Sequence, residues 1–166
     1  MNREYDNLSS YKILMKLEII NLQKFYPIDK KRIRKIVRNV LKYEKQDAEL
    51  NVVLTDNKRI KEINKTFLGH NYATDVITFA YHEPALHKVF LDESTITGEI
   101  IISVEMAKKL AQKNDCIVEG EIALYLVHGL LHLFGYDDKQ KKDAKKMHQR
   151  EGELLSVLGF RVPVPH

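Results

Sequence analysis

An apolar stretch that carries two histidines constrains the fold of this chain more than any other feature. Residues 122–134 are almost entirely hydrophobic, yet His128 and His132 stand among them, four positions apart. In an α-helix this spacing puts both side chains on one face, one turn apart, where the two imidazoles can bind one metal ion. The stretch is too short to cross a bilayer. It therefore predicts a core helix, over residues 118–134, that carries a metal site.

The residues around the two histidines favour a metal site over a pair of ordinary core histidines. Burying imidazoles among leucines costs free energy, which metal coordination can offset. Gly129 costs the helix roughly 1 kcal/mol relative to alanine, which is easier to understand if backbone or substrate comes close there. Gly135 is placed to end the helix and reverse the chain, so that Asp137 or Asp138 can supply a third ligand.

Two imidazoles and one carboxylate suit Zn²⁺, although nickel, iron or manganese could bind the same set. Three ligands leave a position for a water molecule, which the metal would acidify. Asp138 is favoured as the third ligand over Asp137, His148 or water, but either aspartate could instead cap the following helix. A zinc protease is disfavoured, because the position of its glutamate base is Gly129 here.

Hydrophobic periodicity predicts the order β-α-β-α-β-β-α-α-α. The predicted strands cover residues 16–21, 48–55, 75–81 and 98–103, and the predicted helices cover residues 29–43, 56–67, 104–114, 118–134 and 139–158. Asp29 and Asp56 are the predicted N-caps of the first two helices. Because the helices are concentrated in the C-terminal half, we expect a single α+β domain over residues 1–166, with a small mixed four-stranded sheet covered by helices. Residues 82–97 show no period and predict a flexible flap, with His82 and His87 on the surface.

The net charge of +4 is concentrated at residues 30–38, which contain six cations. This segment would attract polyanions, but the pattern favours an ordinary solvated helix face, since the apolar residues between the cations follow helical spacing. Cys116, the single cysteine, cannot form an internal disulfide, and no apolar signal segment follows Met1. We therefore expect a cytoplasmic protein without membrane association.

Residues 128–138, with the sequence HGLLHLFGYDD, resemble the signature His-Gly-x-Leu-His-Leu-x-Gly-Tyr-Asp-His of the YbeY family. Members of that family are described as single-strand-specific endoribonucleases that mature ribosomal RNA. Residues 63–69, 73–79 and 97–100 are similar to further motifs of the family, so the resemblance covers about two thirds of the chain. Two positions depart from it: Asp138 replaces the third histidine ligand, and Leu68 replaces an arginine near the cleft.

The resemblance implies a metal-dependent endoribonuclease that acts at the 3′ end of small-subunit ribosomal RNA and takes part in ribosome quality control. Its partners would be ribosomal RNA and the small ribosomal subunit. His128, His132 and Asp138 would hold the ion, the two histidines being catalytic, and the ion would activate a hydroxide or stabilise the transition state. Glu99 and Asp75 are candidate carboxylate partners for the imidazoles, although each could simply lie at a sheet edge.

Substrate contacts follow from the same resemblance. Leu68 cannot bind a phosphate, so Lys65 or His70 is expected to compensate. Lys35 and Arg38, with Lys31 and Lys42 on the same predicted helix, are expected to attract the RNA strand. Two other functions stay open: a ribosome-associated assembly factor with a structural metal and little or no cleavage, and a metal hydrolase that acts on a small molecule or peptide. The oligomeric state is left undetermined.

Overall fold

The fold is known from a computed structural model that describes residues 12–81 and 95–161. Within these residues the chain forms four strands and five α-helices in the predicted order. The strands are β1 (Met15–Asn21), β2 (Ala48–Thr55), β3 (Val76–Ala80) and β4 (Ile96–Ser103). The helices are α1 (Lys30–Glu44), α2 (Asn57–Ile63), α3 (Val104–Lys113), α4 (Val118–Leu133) and α5 (Lys141–Val157). The predicted α+β class is confirmed.

The four strands form one mixed sheet in the order β1-β2-β4-β3. β1 and β4 both run parallel to β2, and β3 runs antiparallel to β4 at the edge. In the register, Val52 of β2 is opposite Ile100 of β4, and Ile101 of β4 is opposite Ile77 of β3. This arrangement places β3 at the edge farthest from β1.

Both faces of the sheet are covered by helices. Successive residues of a strand point to opposite faces, and in β4 Ile100 and Ile102 join a large core to which α1, α3 and α4 contribute. Ile101 points the other way, into a smaller cluster with Ile60 of α2. In the part of the chain that the structure describes, we find no helix with the length and hydrophobicity needed to span a bilayer.

The helix ends follow the predicted capping chemistry. The side chain of Asp29 accepts a hydrogen bond from the Lys31 amide at 3.0 Å, and that of Asp56 accepts one from the Arg59 amide at 2.9 Å. Gly135, with φ of 101°, reverses the chain directly after α4, as predicted. This reversal places the acidic turn that follows α4 next to its last helical turn.

Two predicted boundaries were wrong, because tertiary contacts extend or change the element. The helix predicted to continue to residue 67 is α-helical only to Ile63 and then becomes a π-helical turn, Asn64–Leu68. The flap predicted over residues 82–97 ends too late in the chain: Ile96 and Thr97 belong to β4, where they pair with β2. The remainder of that flap, residues 82–94 with His82 and His87, lies outside the described residues.

Gly129 brings α4 into close contact with the sheet. A Cβ atom at this position would lie 2.9 Å from Cγ2 of Ile100 and 3.0 Å from Cγ2 of Thr78, closer than side chains tolerate. The glycine is therefore explained by tight helix–sheet packing rather than by the approach of a substrate. Its consequence for the site is that His128 and His132 lie beside β3.

Candidate metal centre

The two histidines of α4 and the aspartate of the following turn converge on one point. His128 Nε2 and His132 Nε2 are 3.0 Å apart, and Asp138 Oδ2 lies 3.6 Å from each of them. One ligand atom from each residue lies within 4.8 Å of the others. The structure thus brings together the three predicted metal ligands, from residues that are local in the sequence.

The other nitrogen of each imidazole is hydrogen-bonded to an acceptor. His128 Nδ1 is bonded to Oε1 of Glu151, and His132 Nδ1 is 3.1 Å from the carbonyl oxygen of Tyr136. A carbonyl only accepts, and so does an ionised carboxylate, which assigns the Nδ1 position of each ring as the donor. In neutral rings both Nε2 atoms therefore carry lone pairs that face each other and Asp138.

This geometry fits a bound cation. Three groups that carry lone pairs or negative charge face one another, and their repulsion is relieved only by positive charge between them, a metal ion or a shared proton. Two imidazole nitrogens and one carboxylate oxygen are a donor set that divalent transition metals prefer. The side chains of His128, His132 and Asp138 are 23%, 26% and 40% exposed, so the cluster is open to a substrate.

Glu151 of α5 is the functional residue that the sequence prediction missed. It is only 6% exposed, and its second carboxylate oxygen lies 3.3 Å from Nδ1 of His148. Glu151 stands on the apolar stripe of α5 between Met147 and Leu154, both of which are buried. A carboxylate at a core position of an amphipathic helix is the signal that could have found it, because such a charge needs a partner.

The carboxylates proposed from the sequence as imidazole partners are engaged elsewhere. Glu99 accepts a hydrogen bond from the Tyr81 hydroxyl at 2.5 Å, which, with burial and the glutamate charge, raises the pKa of Tyr81 to about 12. Asp75 accepts one from the Val76 amide at 2.8 Å, at the start of β3. Asp75 does line the cleft beside the cluster.

The electrostatic environment of His128 favours positive charge. Burial lowers the pKa of this imidazole, but the hydrogen bond to Glu151 and the charges of Glu151, Asp138 and Asp75 together raise it above its usual value. The net direction shows that negative charge around the ring outweighs desolvation. The same negative charge would stabilise a bound metal cation.

The cluster forms one side of an open cleft of about 360 Å³. Residues that follow the π-helical turn and the first residues of β3 also line this cleft. Leu68 lines the cleft, so the position at which the resemblance expects an arginine does face the site. Among the described residues, those that line the cleft are Asn64, Leu68, His70, Tyr72, Thr74, Asp75, Val76, Ile77, Thr78, His128, His132 and Asp138.

Of the four residues predicted to contact substrate, the structure places His70 in this cleft. Lys65 lies on the π-helical turn, and Lys35 and Arg38 lie on α1; all three are exposed and none lines the cleft.

The two alternative ligands left open by the sequence lie outside the cluster. Asp137 accepts a hydrogen bond from the Lys139 amide at 3.1 Å, which stabilises the turn. The side chain of His148 is 60% exposed and contacts Glu151 rather than the two imidazoles. Asp138 is therefore the acidic residue that faces both rings.

The fold and the cluster define an α+β protein whose open cleft carries a site, formed by two histidines and one aspartate, that could hold a metal ion. Residues 18–159 match the family model described as Endoribonuclease YbeY, and the chain belongs to this family.

Relatives with the same description match over most of the chain. Endoribonuclease YbeY of Syntrophus aciditrophicus (strain SB) is 32% identical over 161 residues, which are 95% of this chain and 96% of that protein. The protein of that name from Petrotoga mobilis is 41% identical over 147 residues, 87% of this chain and 96% of the relative. The solution structure of a Thermotoga maritima protein, 23% identical, covers 92% of this chain and all of its own with a TM-score of 0.55, which shows a similar fold.

Proposed function

We propose that this protein is a metal-dependent, single-strand-specific endoribonuclease that acts on ribosomal RNA precursors. The observation that carries the proposal is the convergence of His128, His132 and Asp138 at one side of an open cleft. Membership of the family described as Endoribonuclease YbeY supports RNA as the substrate and phosphodiester hydrolysis as the reaction. The fold by itself would support neither, because one fold carries many functions.

His128, His132 and Asp138 would hold the ion, and Zn²⁺ is the first choice, with nickel, iron or manganese as alternatives. When bound, such an ion supplies an acidified water and positive charge for the phosphoryl oxygens. Glu151 and the Tyr136 carbonyl hold the two Nδ1 protons, so that both Nε2 atoms stay directed at the site. His128 and His132 are thereby the proposed catalytic residues.

His70 is the proposed substrate-binding residue inside the cleft, since Leu68 offers no group that binds a phosphate. Lys65, Lys35 and Arg38 lie outside it and would attract the polyanion over a longer range. The proposed partners are ribosomal RNA and the small ribosomal subunit, with action at the 3′ end of the small-subunit RNA and in ribosome quality control. That substrate would place the protein in the cytoplasm.

Elemental analysis of the purified protein, followed by an assay on end-labelled precursor rRNA, tests the proposal. We expect His128→Ala and Asp138→Ala each to lower metal content and cleavage by about tenfold or more, because each removes one of three ligands. Asp137→Ala is the matched control. It removes the neighbouring carboxylate, which lies outside the cluster, and should leave both quantities within about twofold of the unmodified protein.

A different result would replace the proposal. Binding to the small ribosomal subunit without any cleavage would favour an assembly factor with a structural metal. Leu68 supports this possibility, because no arginine is among the described residues that line the cleft. No activity toward RNA and no ribosome binding, with metal still bound by His128 and His132, would favour a metal hydrolase of another substrate class. Cleavage that persists in Asp138→Ala would exclude Asp138 as a required ligand.

A further inference from the structure

Exposed aromatic side chains lie in the cleft that holds the histidines and next to it in the chain. Tyr72 is 56% exposed and Phe67 is 68% exposed, values unusual for large rings in a folded domain. The His70 and Tyr72 rings lie 5.5 Å apart with an angle of 33° between their planes. Phe67 contacts Phe79 of β3 edge to face, with ring centroids 5.7 Å apart. We call Phe67, His70 and Tyr72 the aromatic wall.

The backbone next to the aromatic wall is held in place by hydrogen bonds to the buried Asn64. Asn64, only 2% exposed, donates from its side-chain amide to the Tyr72 carbonyl at 3.0 Å, and its own carbonyl accepts from the His70 amide at 3.2 Å. Gly69, with φ of 73°, makes the reversal between the π-helical turn and His70. The wall therefore presents its rings from a fixed backbone, while the Tyr72 side chain extends into solvent.

We infer that the aromatic wall stacks unpaired nucleobases of the strand whose backbone lies at the histidine cluster. The inference rests on the proposed nuclease function and specifies how that substrate is held. Every base offers a π-face, so stacking on Tyr72 tolerates different sequences. His70 and Tyr72 of the wall line the same cleft as the cluster, so one short strand can contact both.

At the aromatic wall, the chemistry of the cleft favours contacts with bases over contacts with phosphates. Leu68, beside the wall, cannot bind a phosphate, and Asp75, which is not one of the three proposed metal ligands, adds negative charge that repels one. Stacking has no such penalty, because the base is uncharged. In a duplex each base is stacked between adjacent bases, so its faces cannot contact the wall. The wall would therefore bind single strands in preference to duplexes.

Equilibrium binding of short oligonucleotides tests the inference. Fluorescence anisotropy would measure the affinity of the metal-loaded protein for a labelled ten-nucleotide oligouridine and for an abasic ribose-phosphate strand of the same length. A gel would check that each strand stays intact during the titration. We expect Tyr72→Ala to weaken oligouridine binding by about 5- to 100-fold, the loss typical of one stacked base, and to leave abasic binding unchanged. Tyr72→Phe keeps the ring and should bind within about twofold of the unmodified protein.

Phe25→Ala is the matched control, since Phe25 is 43% exposed but follows β1, at the opposite edge of the sheet. The Tyr72 side chain is exposed and only its backbone carbonyl holds Asn64, so the fold should survive truncation; thermal unfolding of each variant checks this. Equal affinity for oligouridine and the abasic strand, or an unchanged affinity in Tyr72→Ala, would overturn the inference. Absent cleavage with base-dependent binding intact would overturn the nuclease proposal alone.

Discussion

At the scale of single residues, the candidate metal centre depends on where two protons lie. His128 and His132 present their Nε2 atoms to the cleft because Glu151 and the Tyr136 carbonyl occupy the Nδ1 positions. The Tyr136 carbonyl is a neutral acceptor for the His132 ring, whereas the Glu151 carboxylate is a charged acceptor for the His128 ring. A charged acceptor makes the imidazole more electron-rich and therefore a better ligand. Glu151 should thus contribute to metal affinity without contacting the ion.

Replacing Glu151 with glutamine tests this contribution. We expect Glu151→Gln to lower Zn²⁺ affinity by about 10- to 100-fold, because the amide is isosteric but neutral and can present its N–H to His128 instead of its oxygen. Competition against a chromophoric zinc chelator measures the dissociation constant. Glu153→Gln is the control on the same helix, since its ion pair with Arg150 lies at the surface. An affinity equal to that of the unmodified protein would show that Glu151 only packs α5 against α4.

The sequence allowed most of the cluster to be predicted, because its members are local. Two histidines at i and i+4 meet on any helix, and the reversal at Gly135 brings Asp138 back to them. Glu151 lies 23 residues after His128 and meets it only through the packing of α5 against α4. Sequence periodicity places a residue on a helix face but does not state what that face contacts. The untested part, the catalytic role of the cluster, stays a prediction.

At the scale of elements, α4 is positioned along its whole length. Its C-terminal half is held against β3 and β4 at Gly129 and carries the two histidines of the metal cluster. At its N-terminal end, Glu119 accepts a hydrogen bond from the hydroxyl of Tyr26, a residue that precedes α1. This bond links two parts of the chain that are 93 residues apart. It lies far from the cleft along α4, so it can be removed without changing the site.

Replacing Tyr26 with phenylalanine gives a pH-dependent loss of stability. The hydrogen bond from Tyr26 lowers the pKa of Glu119 from its usual 4.5, and the same bond raises the pKa of Tyr26 from 10.0. Because the pKa of Glu119 is lower in the folded state, its charge stabilises the fold above pH 4.5. This stabilisation is lost as the pH falls through the lowered pKa. The raised pKa of Tyr26 stabilises the folded state below pH 10.0, and this stabilisation is lost as the pH rises through the raised value.

At pH 7 both conditions hold, and we expect Tyr26→Phe to reduce the free energy of unfolding by about 0.5–1 kcal/mol, a small value because both groups are partly exposed. Urea unfolding between pH 3 and pH 8 measures the difference from the unmodified protein, which should shrink at the acid end. A difference that stays constant over this range would mean that the hydroxyl acts through packing and not through Glu119.

Some helix and strand boundaries depend on local sequence and could be predicted, whereas others depend on contacts with distant segments and could not. Both strand β2 and the N-caps of α1 and α2 follow from local signals, β-branched residues and an aspartate before an apolar period. The start of β4 does not, because Ile96 joins the sheet by donating its amide to the Asp47 carbonyl, a contact with a distant segment. The π-helical turn is likewise tied to the burial of Asn64, whose amide bonds to the loop that follows.

At the scale of the whole molecule, strand composition predicted a mixed four-stranded sheet but not its order. In the observed order β4 pairs with β2, and β3 lies at the edge. Predicting this order requires knowing which strands pair over long sequence separations, and hydrophobic patterns do not give that information. Charge distribution is different, because it can be assigned from sequence once α1 is known. Most of its cations are exposed, and Lys35 and Arg38 are among the exposed ones and lie outside the cleft. The role toward RNA that we propose for these two residues is therefore electrostatic attraction rather than contact within the site.

The salt dependence of RNA binding measures that attraction. Each phosphate that a cation neutralises on a single strand contributes about 0.7 to the slope of log affinity against log salt concentration, through the release of counterions. If Lys35 and Arg38 each neutralise one phosphate, the double variant Lys35→Gln/Arg38→Gln should reduce the magnitude of the slope by about 1.4. Anisotropy titrations of a labelled single strand between 50 and 200 mM salt, roughly the range over which such effects are large, give the slope.

The matched control changes the net charge equally at another surface. Lys109 and Lys113 are exposed residues of α3, and Lys109→Gln/Lys113→Gln also removes two positive charges from a net +4. If the α1 face binds the strand, the control should keep the slope of the unmodified protein, because counterion release counts phosphates contacted and not total charge. Equal reductions in both double variants would assign the effect to net charge, and α1 would then be an ordinary solvated helix whose cations carry no binding role.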